Sequence, residues 1–447
     1  MLTIYSRSHT TRLSYVLRFF LDSEEFRVTD SPEAYLSAER PAICYDKKPL
    51  GRGIHIVPCG ILAGRTHYVP RPPMGKDAAG NPVLYPDSIS DMGFDPLGAA
   101  FYLLARCEEY GSKELDLHKR YLPESSVLAA MGCLERPIVD EWGLQLRQRI
   151  RAACPGTLPH ERQGRIVLTH DVDLPYRYRA RGPLHSAGGL LKDLFLHRDP
   201  AEALRRMKCW LHLLPDPYFN LRRLAQTGRD AGLEPMFFVH YGPCGRYDRK
   251  DRVPSFHYAR LLRQLAQDEC PIGLHPSYET WNDSKKMAAE KKKLEKRIRQ
   301  EVHASRQHYL RFRIPYTPRT LLQCDLTDDY SLGYSSKVGF RAGTARPFPY
   351  FDLGFNVGTE LILHPLAAMD VTLQRDLRLS ARESAEKMLA LARTALSLGG
   401  DCCLLIHNSS LAGDKEWAGW QEMYPDFLRK LQALEQQYAT LPRQTAG

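Results

Sequence analysis

The chain is 447 residues long with 43% hydrophobic and 10% aromatic side chains, which excludes global disorder and allows about two or three ordinary domains. Its formal net charge of +10 suits an anionic partner, yet the lack of an RNP motif, zinc finger or basic zipper argues against nucleic acid. No run approaches the length of a transmembrane segment, and the N-terminus lacks a signal peptide's basic-then-apolar order, so the cytoplasm is the expected compartment.

Residues 1 to about 160 carry short apolar runs, Ala42-Ile-Cys-Tyr45 and Ile54-His-Ile-Val57, among Pro- and Gly-rich turns. Asp95-Pro96 is a helix start, with Asp95 as N-cap and Pro96 at the first helical position of a helix predicted to reach Tyr110. A second helix is predicted from Pro137 to Ala153. Cys154-Pro-Gly-Thr-Leu-Pro159 breaks the pattern, which sets a domain boundary near 160 and divides the chain into 1–160 and 161–447.

Beyond the boundary, strand alternates with helix. Arg165 to Thr169 reads as a buried strand that runs into His170-Asp171-Val-Asp173. Helices follow over 187–213 and 216–230, then the strand Pro235 to His240, a helix from Phe256 to Gln267, and the strand ending at His275. Lys285 to Arg299 is basic, but Met287, Leu294 and Ile298 form an apolar stripe, so it reads as the solvated face of an amphipathic helix. A strand over Ser305–Phe312, another at Leu361–His364, a helix from Ala381 to Leu398 and the strand Cys402–Ile406 complete the pattern. The alternation predicts an α/β fold with a parallel sheet or barrel. Eleven cysteines, odd in number and without a CxxC pair, read as reduced, mostly buried thiols.

The polar residues fall at strand ends. Asp171 and Asp173 follow one strand, His240 and His275 two others, and His407 the last. In a parallel barrel such ends open on one face, so residues far apart in sequence converge. Two carboxylates this close repel unless a cation or proton lies between them. Asp with His is the ligand mix of Zn²⁺, or of Fe, Co or Mn. Such a site activates water, with a spare carboxylate as base and a separate imidazole as acid, a design for hydrolysis of an amide or ester. No GxGxxG, P-loop or GxSxG competes. His364 and Asp370 read as loop hydrogen-bonding residues.

From Arg165 onward these motifs resemble the NodB-like polysaccharide deacetylases of carbohydrate esterase family four. Thr169-His-Asp171-Val-Asp173 is similar to a loose form of the family's first motif, which implies Asp171 as base and Asp173 as metal ligand. Met236-Phe-Phe-Val is similar to the family's Ala-Thr-Phe-Phe strand. Gly273-Leu-His275-Pro-Ser-Tyr-Glu279 matches the His-Ser/Thr-x-x-His motif except that Glu279 stands where the second His belongs. The third ligand is then Glu279 or a histidine from elsewhere, with His308 preferred, or the metal site is incomplete. Arg313-Ile-Pro-Tyr316 resembles the Arg-x-Pro-Tyr motif, so Arg313 is implied to orient Asp171, with Arg311 as the alternative. Gly333-Tyr-Ser-Ser and Gly339-Phe-Arg341 are similar to a further motif, and Leu404-Leu-Ile-His407 implies His407 as general acid. No counterpart of Asp-x-x-Asp-Trp is visible.

The resemblance implies a distorted parallel (β/α) barrel of the NodB type preceded by a smaller α/β N-terminal domain. It further implies a divalent metal, zinc first and cobalt, manganese or iron otherwise. The implied reaction removes an acetyl group from an N-acetylated sugar or glycan precursor. The alternatives are an amidase acting on a non-sugar amide and an inactive barrel that binds glycan or a partner protein.

Overall fold

The short strands β1 (Leu2–Tyr5), β2 (Phe26–Thr29), β3 (Pro41–Tyr45) and β4 (Ile54–Ile56) form a parallel sheet in the order β2-β1-β3-β4. Strands β1, β3 and β4 are buried along their whole length, as parallel strands covered on both faces must be. The computed structural model describes the chain apart from residues 23–24, 67, 156–161, 180–182, 249–255 and 441–447 and the side chains of 183–185. The expected boundary at 160 thus lies outside the described residues. A hairpin, β5 (Met74–Lys76) with β6 (Pro82–Leu84), follows the first sheet.

The second sheet has nine strands: β7 (Ile166–Val172), β8 (Met236–His240), β9 (Ile272–His275), β10 (Ala304–Ser305), β11 (Asp328–Asp329), β12 (Phe348–Asp352), β13 (Val357–Leu363), β14 (Leu366–Met369) and β15 (Cys402–Leu405). Their order is β12-β13-β11-β10-β9-β8-β7-β15-β14, parallel except for the antiparallel pair β12–β13. The expected α/β class is present, and the expected distorted barrel is met in part: the sheet curls into a half-barrel with β12 and β14 as its edge strands, and among the described residues no strand ladder joins β14 to the segment after β11. Isolated bonds from Leu366 N–H to Leu332 O (3.0 Å) and Gly339 N–H to Ala367 O (2.8 Å) span that gap instead of a ladder.

Three predicted elements are shorter than expected, each for a local reason. The helix at Pro96 is capped by the Asp95 side chain as predicted but ends at Leu104, because Arg106 turns to φ +50° and a separate turn, Cys107–Glu109, follows. The helix expected over 187–213 is split into Pro183–Leu191 and Pro200–Trp210. Proline has no N–H to continue a helix, so Pro200 starts a new one, which Asp199 caps. The strand expected over 305–312 is only Ala304–Ser305, since Tyr309 and Leu310 adopt φ of +61° and +52°.

One continuous apolar core runs through both sheets, joining Leu2, Ile43 and Trp142 to Ile166, Leu274 and Leu404. Polar links cross the same seam. Glu109 receives Arg106 and Arg341, and Asp140 receives Thr344 Oγ1 (2.6 Å) and Ala345 N–H (2.8 Å). Gly339 lies so close to Leu134 that a Cβ there would sit 2.0 Å from its carbonyl oxygen, and its φ of +123° favours glycine in any case.

Candidate metal and acid–base centre

Alternation along β7 sends Thr169 and Asp171 to one side and His170 to the other. His170 is a structural residue. Its Nδ1–H donates to Ile406 O (2.7 Å), its Nε2 pairs with the Tyr424 hydroxyl (2.9 Å), and burial holds its pKa down to about 4, so it stays neutral. On the other side, Asp171 is buried against Arg306, whose Nη1 donates to Asp171 Oδ1 (3.0 Å) and Thr169 Oγ1 (2.7 Å). Arg306 is itself fully buried. It donates through Nε to Tyr330 O (3.0 Å) and lies 4.5 Å from the centre of the Phe238 ring. The guanidinium therefore has little freedom, and it fixes the carboxylate it holds.

Three atoms converge next to this pair: Asp173 Oδ1, His275 Nε2 and His308 Nε2, with imidazole–carboxylate distances of 3.0 and 3.7 Å. Each ring is turned by its other nitrogen. His275 Nδ1–H donates to Arg306 O (2.6 Å), and His308 Nδ1–H donates to Asp248 Oδ1 (3.0 Å). That tautomer leaves both Nε2 lone pairs facing a carboxylate oxygen, which is the usual way protein groups orient metal-binding histidines. Asp173 Oδ1 is buried and makes no hydrogen bond among the described residues. Three acceptors that face one another, two of them locked by neighbours, fit a cation. Burial pushes Asp173 up, but His308, His275 and His407 outweigh it and hold it far below the carboxylate range. Burial lowers His275, yet Asp171 and Asp173 raise it overall. Proton and cation thus compete for the same Nε2.

His407 follows β15. Its Nδ1–H donates to Asp370 Oδ1 (2.7 Å), and its Nε2 lies 3.8 Å from Asp173 Oδ2. Asp370 is fully buried and also accepts the His407 N–H (2.7 Å) and the Ser410 hydroxyl (2.5 Å). Burial works against a charged imidazole here, but Asp370, then Asp173 and Asp171, raise His407 to about 10. A protonated imidazole at neutral pH is a proton donor in waiting.

Of the residues singled out from sequence, Asp171, Asp173, His275, His308 and His407 come together. His308 does so from a single turn, His308–Leu310, and not from a strand. Arg313 does not meet Asp171: it packs near Trp281 and Tyr316, at 6.0 and 5.3 Å from their ring centres. Arg311, the alternative, donates to Tyr278 O (2.8 Å) and stacks on that ring. Arg306 occupies the position intended for either. Glu279 is exposed and pairs with Arg311 at 3.5 Å, away from the ligand set. His364 bonds Asp328 (2.8 Å), so its reading as a hydrogen-bonding residue holds. Arg341 is spent on Glu109.

Sequence reasoning missed Arg306, Asp370 and Asp248. Asp370 carried a usable signal, since it stands one residue past β14 as Asp171 stands near the end of β7. A second set, His240, Asp248 and His308, also clusters, but His308 Nδ1–H is committed to Asp248 and only its Nε2 remains for an ion.

Residues 2–155 match a family model described as "Family of unknown function (DUF7033)". No curated protein matches the chain. Among solved structures, the chain is similar to a crystal structure of a "putative polysaccharide deacetylase" from Mycobacterium smegmatis, at 17% identity and a TM-score of 0.40, over 62% of this chain and 87% of that one.

Proposed function

We propose that the protein is a metal-dependent hydrolase of the NodB type that removes an acetyl group from an N-acetylated sugar or glycan intermediate. The observation that carries this reading is the convergence of Asp173 Oδ1, His275 Nε2 and His308 Nε2, with Asp171 and His407 each 3.8 Å from a member of the set. These three residues would hold the ion. Zinc is the first candidate and cobalt, manganese or iron the others. A bound divalent ion supplies Lewis acidity, lowering the pKa of water and polarising an amide carbonyl.

The chain's own residues do the rest. Asp171, held by Arg306, takes the proton of the attacking water. His407, kept protonated by Asp370, delivers a proton to the departing amine nitrogen. Support for a sugar comes from the aromatic rim. Tyr309 is 39% exposed with its ring 4.7 Å from that of His308, and half-buried Tyr247 lies 6.0 Å from it, with buried Tyr278 behind them under Arg311. Ring faces of this kind suit the C–H face of a pyranose. His118, from the first part of the chain, joins the rim 5.0 Å from Tyr309.

The test is metal analysis together with acetate release from N-acetylglucosamine oligomers. A single bound zinc and measurable release are expected, with Asp171→Asn keeping the metal and losing roughly 10²–10⁴-fold in turnover. A zinc-loaded protein that releases no acetate, or Asp171→Asn at near-native turnover, would contradict the reading.

A further inference from the structure

Residues 186–215, in the crossover between β7 and β8, are built the wrong way round for a free surface. Among the described residues, nine of the twenty exposed large apolar side chains fall between Leu191 and Leu214, including Phe195 (75% exposed), Leu196 (68%), Leu211 (66%) and Leu213 (68%). In the helix Pro200–Trp210 the buried positions are Ala203, Arg206 and Cys209, while Leu204 and Met207 face outward. An ordinary surface helix does the reverse.

The charges are sorted in the same sense. All three acids of the segment are already paired within the protein. Asp193 holds Arg206 (2.6 Å), Asp199 caps the helix and pairs with Lys415, and Glu202 holds Arg177 (2.6 Å) and the Tyr178 hydroxyl. The exposed charges that remain are all basic: Lys192, Arg198 and Lys208. We propose that this face docks on an anionic lipid bilayer. Exposed apolar side chains interspersed along the segment with basic ones, on helices too short and too polar to cross a membrane, describe an element that lies in the interface without spanning it. A second copy of the chain is the poorer occupant, because a twofold contact would set each basic face against its like. The segment leaves β7 at the end that carries Asp171 and Asp173, so a docked bilayer would lie toward that end of the sheet.

Co-sedimentation of the full chain with phosphatidylcholine vesicles, with and without phosphatidylglycerol, tests this. Binding is expected to the anionic vesicles, to weaken with added salt, and to fall by at least about tenfold both in Phe195→Asp/Leu211→Asp and in Lys192→Glu/Arg198→Glu/Lys208→Glu. The salt response of the unaltered chain stands whether or not a variant folds. Binding to neither vesicle, equal binding to both, or a dimer in sedimentation that Phe195→Asp/Leu211→Asp dissolves without any vesicle binding would each overturn the proposal.

Discussion

At the seam between the two sheets, Glu109 lies between Arg106 and Arg341, and both its carboxylate oxygens receive N–H groups at 2.6–2.9 Å. At the ends of β7 and β9, Asp173 lies beside His275 and His308, and its inner oxygen receives none among the described residues. Both clusters set a buried carboxylate oxygen beside nitrogen-bearing side chains, but they differ in what those nitrogens offer. Guanidinium nitrogens only donate, so the first cluster is complete in itself. Neutral imidazoles whose Nδ1–H is already committed can only accept at Nε2, so with those protons gone the second is a ring of lone pairs, which is what a cation requires. Burial alone does not distinguish structure from function; the direction of the neighbouring hydrogen bonds does.

The largest expected effect breaks the complete cluster. Burial pushes Glu109 up, but Arg341 and Arg106 outweigh it and keep it ionised. Glu109→Gln leaves buried Arg341 without its carboxylate partner and Arg106 with Glu108 alone, and should cost about 3–5 kcal/mol, read as a lower urea midpoint. Its response to zinc should survive. Asp173→Asn reverses the pattern. Zinc at a hundred times its Kd should stabilise the unaltered chain by about 2.7 kcal/mol, and that gain should vanish in the variant. A zinc-induced shift in melting temperature that persists in Asp173→Asn would remove the distinction between the clusters.

Smaller effects sharpen it. Asp370→Asn takes away the anion that orients His407 and keeps it charged, so turnover should fall by about 10–100-fold with metal content unchanged. Asp140 is the seam's other carboxylate. Burial raises it from 3.8 to about 6 despite Arg346 and bonds from Thr344 and Ala345. A raised carboxyl binds its proton more tightly folded than unfolded. Stability from this group is therefore full below pH ~4 and is lost as pH rises toward ~6. Asp140→Asn should flatten that decline, worth on the order of 3 kcal/mol, in unfolding curves taken across this range.

Much of the candidate site was legible because strand ends mark themselves. An apolar run that stops at Asp171, His275 or His407 announces a polar group at the edge of a buried sheet. Arg306 was hidden because β10 is only two residues long, and a charged residue one step past so short a strand looks like a loop. Motif spacing then drew attention to Arg313, whose guanidinium is spent on aromatic faces. Asp370 was read as a loop residue because its partner, His407, is 37 residues away. Sheet closure was not legible at all. Strand–helix alternation predicts parallel neighbours, but whether the first and last meet depends on twist and on loops such as 330–340, which carry no periodic signal. The break at Pro200 is carried by the residue itself, since proline cannot continue a helix, and the single helix expected over 187–213 takes no account of it.

Whether one divalent ion binds among Asp173, His275 and His308, as proposed, is decided by anomalous diffraction from crystals of the zinc-loaded protein. A single strong peak is expected about 2.0–2.2 Å from Asp173 Oδ1, His275 Nε2 and His308 Nε2. A peak held by His240 and Asp248, or one at Glu279, or none from fully loaded protein, would contradict it.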